Sequence, residues 1–261
     1  LFCLMTSGKL KAKGGKLVKG DRGQTWLSIP PSKTPILVSV AIGDSPKITG
    51  EYDLEKHTTG GPRRWPQKVQ TAVALGKSVD GYALDQLTVP LANPWGSWMR
   101  TTAMDFFSDG RMAVSTLSGD VWIVNWSKGN PQALTWSRYA TGLYEPLGLK
   151  IVDDIIYVRG RDRITRLHDL NGNGEADFYE NFYEEPDEIG ASYHAFIYDL
   201  QTDQSGNFYF SQSGYKSPLT GGVVKLSPNG KSAEFIGTDL RNPNGMGAGG
   251  PKDWVTITDN P

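Results

Sequence analysis

The sequence predicts an all-β protein, and two observations lead there. Gly 31 and Pro 16 are high for a helical chain of 261 residues, while 8 Trp and 11 Tyr suit strands and aromatic-lined clefts. Short apolar runs also recur behind polar turns. FSDGRMAV at 107–114 is a turn feeding a strand, and GDVWIV at 119–124 is the next; the pair returns at 151–158 with 161–167, again at 202–210 with 221–226, and in part at 251–257. Gly110, Asp154, Gly206 and Asp253 hold comparable turn positions, so the unit recurs after 44, 52 and 47 residues. Repeats of roughly 40–50 residues built of short strands indicate β-propeller blades. The expectation is a partial propeller of about 3–4 blades over residues 64–261, preceded by a small β-rich region at 1–63. A two-sheet sandwich is the alternative, although it needs no repeats of similar length.

Taken in order, residues 1–63 read as short strands. Lys9, Lys11, Lys13, Lys16 and Lys19 alternate with other residues and read as a solvated edge strand. Strands are expected at 25–29 and 35–42 on either side of the Pro30-Pro31 turn, the second apolar enough for a core strand. The loop TTGGPRR at 58–64 marks the domain boundary.

DLNGNGEADFYE at 169–180 carries the most specific chemistry. Counting Asp169 as position 1 puts Asn171 at 3, Asn173 at 5, Gly174 at 6, Glu175 at 7, Asp177 at 9 and Glu180 at 12, the ligand spacing of an EF-hand-type calcium loop. Strands rather than long helices flank it, so the reading is a calcium loop inserted in a β-protein to brace a turn. Two asparagines lower its ligand charge, which points to the weak, extracellular end of the calcium range. An Asn/Gly/Asp turn without metal is the alternative.

Two further stretches carry polar chemistry. His194, in ASYHAF at 191–196, is a candidate general base, or a hydrogen-bonded surface or core residue. Arg241, Asn242 and Asn244, in LRNPNGMGAG at 240–249, offer donors for a carboxylate, quinone oxygens or sugar hydroxyls, or form a tight connection between blades.

Composition narrows the function. The 27 basic and 28 acidic residues give a net charge of -1, which favours neither nucleic acid nor an anionic membrane. One cysteine, Cys3, excludes an internal disulfide framework and a multi-cysteine zinc site. No apolar run reaches the roughly 18–20 residues of a membrane span. P-loop, dinucleotide, G-x-S-x-G, H-E-x-x-H and C-x-x-C-H motifs are missing. The start at Leu1 and the stop at Asp259-Asn-Pro261 both read as cut ends of a longer protein.

PRRWPQ at 62–67, NPWGSW at 93–98, DFFSDG at 105–110, RITRLHDLNGNGEAD at 163–177 and RNPNG at 241–245 together give a resemblance over about residues 62–261. The chain resembles exported bacterial propeller proteins described as membrane-bound dehydrogenases, in which a propeller often precedes a c-type haem domain. More distantly it is similar to soluble glucose/sorbosone dehydrogenases, whose propeller holds pyrroloquinoline quinone and calcium. The resemblance implies a periplasmic or extracellular location and oxidation of a sugar or polyol. His194 would be the base, Arg241 with Asn242 and Asn244 the cofactor contacts, and a haem domain outside this chain the electron acceptor. It also departs from those enzymes, whose quinone-contacting calcium is not held by a linear loop, so a cation at 169–180 would be an additional, structural one. Two other readings stay open: a calcium-stabilised propeller that binds a glycan or protein through Trp95, Trp98, Trp122 and Trp126, and lactone hydrolysis on a metal-centred propeller.

Overall fold

A computed structural model describes residues 2–4, 8–50, 53–127, 130–184, 196–214, 221–249 and 254–259, apart from the side chains of Phe2, Cys3 and Pro131. Two compact units, Leu1–Thr58 and Thr59–Pro261, meet between Thr58 and Thr59. The first contains β1 (Phe2–Leu4), β2 (Lys9–Lys13), β3 (Lys16–Lys19), β4 (Thr25–Ser28), β5 (Ser39–Gly43) and a single 3-10 turn at Glu55–His57. Its strands form a three-stranded sheet in the order β1-β4-β3 and a β2-β5 pair. Alternation turns Lys9, Lys11 and Lys13 of β2 to solvent. The apolar run at 35–42 does not become a core strand. Only its end joins β5, which pairs with β2 alone and leaves Ile42 58% exposed.

The second unit opens with β6 (Lys68–Ala74) and β7 (Gln86–Leu87) and continues as four-stranded meanders. The first is β8 (Thr101–Phe106), β9 (Met112–Thr116), β10 (Val121–Ser127) and β11 (Asn130–Ala140). The second is β12 (Gly148–Val152), β13 (Ile155–Arg159), β14 (Arg163–His168) and β15 (Phe178–Glu184). The third is β16 (Ile197–Thr202), β17 (Phe208–Gln212), β18 (Gly222–Leu226) and β19 (Ala233–Thr238), and β20 (Pro243–Gly249) with β21 (Trp254–Asp259) begin a fourth. Within each meander every neighbouring pair is antiparallel and sequential, and β6 and β7 extend the first sheet beyond its outer strand β11 through an antiparallel β6–β11 pairing. The only helix among the described residues is the 3-10 turn, so no described helix is long and apolar enough to cross a membrane.

These sheets are propeller blades rather than the layers of a sandwich. First strands start at Thr101, Gly148, Ile197 and Pro243, and each lies beside the next, so they form the axial side of the arc. Each junction between consecutive blades is apolar. Ala113, Val121 and Ile123 pack on Leu149, Ile156 and Val158; Tyr157 and Ile164 pack on Ile197, Phe208 and Phe210; Tyr209 and Val223 pack on Met246. At the second junction Tyr157 and Phe208 stand 5.0 Å apart between ring centroids. Segment 68–99 covers the other face of the first blade, with Val73 and Met99 buried against Trp122 and Trp136.

Local chemistry sets the strand ends. The first hairpin of each blade turns on a left-handed residue, Gly110 (φ 84), Asp154 (φ 60) and Gly206 (φ 80), the positions the repeat predicted; Asp253 lies outside the described residues. Between blades the axial strands come so close that a Cβ on Gly148 would stand 2.3 Å from the Asp199 carbonyl oxygen.

Candidate functional site

Residues 169–177 join β14 to β15, the third and fourth strands of the second blade, and so lie on its outer side, away from the axial strands. The loop is wound by its own side chains. Asp169 accepts from the N–H groups of Asn173 (3.0 Å) and Gly174 (2.7 Å), Asn171 Oδ1 from Asn173 N (3.1 Å), and Asn173 Oδ1 from Glu175 N (2.9 Å). Gly172 and Gly174 supply the positive φ angles the winding requires, 69° and 88°. Asp177 Oδ2 closes it by accepting from Leu170 N at 3.1 Å. The carboxylates of Asp169 and Asp177 both act on Tyr139, whose hydroxyl is pushed well above its ordinary range by burial and then by those two charges.

A strap distant in sequence completes this corner. Gly61 N donates to Asp177 Oδ1 (2.8 Å), and the Gly61 carbonyl accepts from Asn171 Nδ2 (2.9 Å) and Asn173 Nδ2 (2.8 Å). Glu175, only 4% exposed, turns outward from the loop. It accepts from Arg63 Nε (3.2 Å), Arg64 N (2.6 Å) and Trp65 N (2.7 Å), so its carboxylate holds the strap rather than facing Asp169.

Glu180, expected at the twelfth ligand position, lies inside β15. There it accepts from Arg166 Nε and lies 2.7 Å from His168 Nε2. Burial works against its charge, but the hydrogen bonds from His168 and Arg166 outweigh it and hold Glu180 below the usual carboxylate range. The structure therefore brings Asp169, Asn171, Asn173 and Asp177 together and leaves Glu175 and Glu180 with other partners. No three His, Cys, Asp or Glu side chains converge as a metal cluster among the described residues.

The second predicted group is placed differently. His194 lies outside the described residues. Arg241 and Asn242 donate their backbone N–H groups to Asp259 at 3.1 and 2.8 Å, which pairs the entry of β20 with the end of β21. Asn242 Oδ1 accepts from Tyr198 Oη (2.9 Å) and Ser213 Oγ (3.3 Å), and the Asn244 carbonyl accepts from Thr258 Oγ1. These contacts fasten the third blade to the fourth. Among the tryptophans, Trp122 is fully buried with Trp95 tilted against it at 5.5 Å. Trp98 is 65% exposed beneath the Arg100 guanidinium, and Trp126 stacks on Phe106.

A cleft that the sequence reading did not identify opens at the first-to-second blade junction. It has a volume of about 330 Å³ and is walled by Tyr144, Asp162, Arg163, Thr165, Tyr179 and Asn181. Thr165 and Asn181 are direct cross-strand partners, and Tyr179 and Asn181 share a strand face because they are two residues apart. Tyr144 is half-exposed, with the Arg161 guanidinium 5.9 Å over its ring and Arg161 Nη1 2.8 Å from Glu145 Oε2. Tyr179 Oη accepts from Thr141 N (3.0 Å), and burial, which that bond opposes, raises its pKa. A larger hollow in the first unit, about 950 Å³, is rimmed by Lys9, Lys19 and Arg22 and brings no acid–base pair together. The available signals for the cleft were the R-D-R run at 161–163 and the two-residue spacing of Tyr179 and Asn181, but only folding brings 144 beside 163 and 181.

No protein-family model matches the sequence, and no curated protein matches it. Among solved structures the chain is similar to a gluconolactonase from Xanthomonas campestris, described as important in glucose secondary metabolic pathways. The identity is 17%, the TM-score is 0.48, and the alignment covers 71% of this chain and 61% of that one. The chain thus spans less than two thirds of that neighbour's length.

Proposed function

We propose that the second unit is the calcium-braced propeller of an exported protein that handles a sugar or another polyol, taken in the cleft beside Tyr144. The observation that carries the proposal is the cleft itself. A half-exposed tyrosine ring shares about 330 Å³ with a threonine hydroxyl, the Asp162–Arg163 ion pair (2.7 Å) and the Asn181 amide, whose Nδ2 donates to Glu184 and whose oxygen meets no donor among the described residues. A polyol presents an apolar C–H face and a ring of hydroxyls that both donate and accept, and this wall offers a partner for each.

Calcium fits the loop beneath that wall. Its donors are all oxygens: the Asp169 and Asp177 carboxylates and the Asn171 and Asn173 amide carbonyls. Each already accepts a backbone N–H that winds it into the loop, and a carboxylate or amide oxygen keeps a further lone pair for a cation. When bound, calcium supplies fixed positive charge and has no direct part in chemistry. β15 leaves the loop at Phe178, so bracing the loop also places Tyr179 and Asn181. Without Glu180 the donor set is short of charge, which supports an affinity in the weak, extracellular range.

The resemblance supports oxidation as the reaction, with His194 as base and a c-type haem domain as electron acceptor. The resemblance also proposes pyrroloquinoline quinone at Arg241, Asn242 and Asn244; Asn242 Oδ1 accepts from Tyr198 and Ser213, and no step is routed through the quinone. The second reading is a propeller that binds a glycan or protein without catalysis, favoured by the exposed Trp98 and Trp126. Titration calorimetry with aldoses and sugar alcohols tests the cleft. Tyr144→Ala and Asn181→Ala should each weaken binding about tenfold or more; unchanged affinity in both refutes it. Dye-linked oxidation that His194→Ala abolishes favours the first reading, and binding without turnover favours the second.

A further inference from the structure

Resting on the loop as a calcium site, we infer that the Gly61 carbonyl is the positioning group of that site. It fixes both asparagine amides so that calcium binding and docking of the strap at 60–65 are coupled. An asparagine amide has two nearly isosteric orientations, one presenting oxygen and the other nitrogen. A carbonyl selects between them, because it can only accept. Gly61 O takes Nδ2 of both Asn171 and Asn173, which leaves each Oδ1 turned into the loop, where it accepts one backbone N–H and keeps a lone pair for a cation. The N–H of the same residue donates to Asp177 Oδ1, so Gly61 touches three of the four donor side chains.

Only glycine at position 60 permits this approach. Gly60 has φ +87°, and a Cβ there would stand 2.6 Å from both Asn171 Nδ2 and Asp177 Oδ2. The far side of the strap is already anchored by Glu175, so what calcium controls is the near side, Gly60 and Gly61. A cation on an amide oxygen withdraws electron density from its nitrogen and strengthens the N–H donation to Gly61, and by linkage the docked strap strengthens calcium binding equally. Partners that orient metal ligands in this way typically change affinity about 10–100-fold when lost.

Calcium titration calorimetry and amide hydrogen exchange on the 261-residue chain test the coupling. In the wild-type chain, calcium should slow exchange at Gly61 by about tenfold or more, and Gly60→Val should weaken calcium about 10–100-fold. The double variant Asn171→Asp/Asn173→Asp separates coupling from mere stability. Its carboxylates need no orienting and add charge, so calcium should bind at least as tightly as in wild type. They cannot donate to Gly61 O, so the calcium effect on strap exchange should fall to what the Gly61 N–H bond to Asp177 alone carries, and adding Gly60→Val should cost less affinity than it does in wild type. The inference is overturned, with the calcium reading intact, if wild type binds calcium while strap exchange and Gly60→Val affinity stay unchanged. It is also overturned if the double variant keeps full calcium-dependent protection. No binding heat in wild type at millimolar calcium removes both.

Discussion

Removing calcium should lower the melting temperature of the second unit, and two substitutions should show which carboxylates matter. The loop gathers two carboxylates and two amides, while Glu180 remains with Arg166 and His168. A donor set that poor in charge belongs with the weakest calcium modules, with a Kd of about 0.1–1 mM. At about 10 mM free calcium the ion is then at roughly 10–100 times Kd, worth about 1.4–2.7 kcal/mol by mass action. For a domain of about 200 residues each kcal/mol moves the melting point by about 2–4 °C, so the expected shift is about 3–11 °C. Scanning calorimetry with calcium and with chelator reads it directly. Asp169→Ala should abolish the difference while also lowering the chelated baseline, because the Gly174 N–H loses its acceptor and the Asn173 N–H keeps only Asn171 Oδ1, at about 1–3 kcal/mol. Glu180→Ala should leave the difference intact. An equal loss of calcium response in both variants would mean that Glu180 leaves Arg166 and His168 to ligate from the twelfth position.

Further outcomes follow from the blade junctions. Asp199 sits in a left-handed bulge of β16 (φ 61) and accepts from Gly245 N and Met246 N, yet burial raises its carboxyl pKa. A carboxyl whose native pKa exceeds its unfolded one loses stability as pH rises through the native value, so Asp199→Asn, which keeps the acceptor and tolerates the backbone, should melt higher than wild type at neutral pH but not in acid. Asp199→Ala should melt lower throughout, with thermal scans across the carboxylate range as the check on both. Trp122→Ala should cost about 3–5 kcal/mol in urea unfolding, whereas Trp98→Ala should stay within about 0.5 kcal/mol; equal effects would contradict the assignment of one to the core and the other to the surface. Gly148→Ala should destabilise strongly, since its methyl group would meet the Asp199 backbone.

The sequence made the blades legible because their hairpins depend on local chemistry. A left-handed turn residue declares itself as glycine or aspartate, and Gly110, Asp154 and Gly206 occupy equivalent positions in the structure. Local winding of the loop was legible for the same reason, since Asp169, Asn171 and Asn173 bond to neighbours within five residues. The pairing of Glu180 with Arg166 and His168 was not legible, because spacing counts residues without asking where a strand begins. β15 starts at Phe178, and strand alternation then delivers Glu180 to Arg166. Nothing local announces the strap or the cleft: Gly61 reaches Asp177 across 116 positions, and Tyr144 joins Asn181 only when two blades pack.

The same distinction explains why the repeat shows in length more than in residue identity. At the first and third junctions single carboxylates tie the axial strands of neighbouring blades. Asp105 Oδ2 in β8 accepts from Ile151 N in β12 at 2.9 Å, with Lys150 Nζ at 3.0 Å, and Asp199 Oδ2 in β16 accepts from Gly245 N in β20 at 3.1 Å. Both bonds span 46 residues. The bond requires an acceptor on one strand and a backbone N–H on the next, and every non-proline residue has that N–H. At these two junctions side chains at the receiving position are therefore free to vary, provided the backbone N–H is kept. A deletion inside one blade, such as a residue taken from the turn at Asp153-Asp154, should shift β13 by one position against β12 and turn Ile156 and Val158 out of the core. It should therefore cost far more stability than Ile151→Val, which keeps the backbone N–H of the tie and most of the side chain's packing.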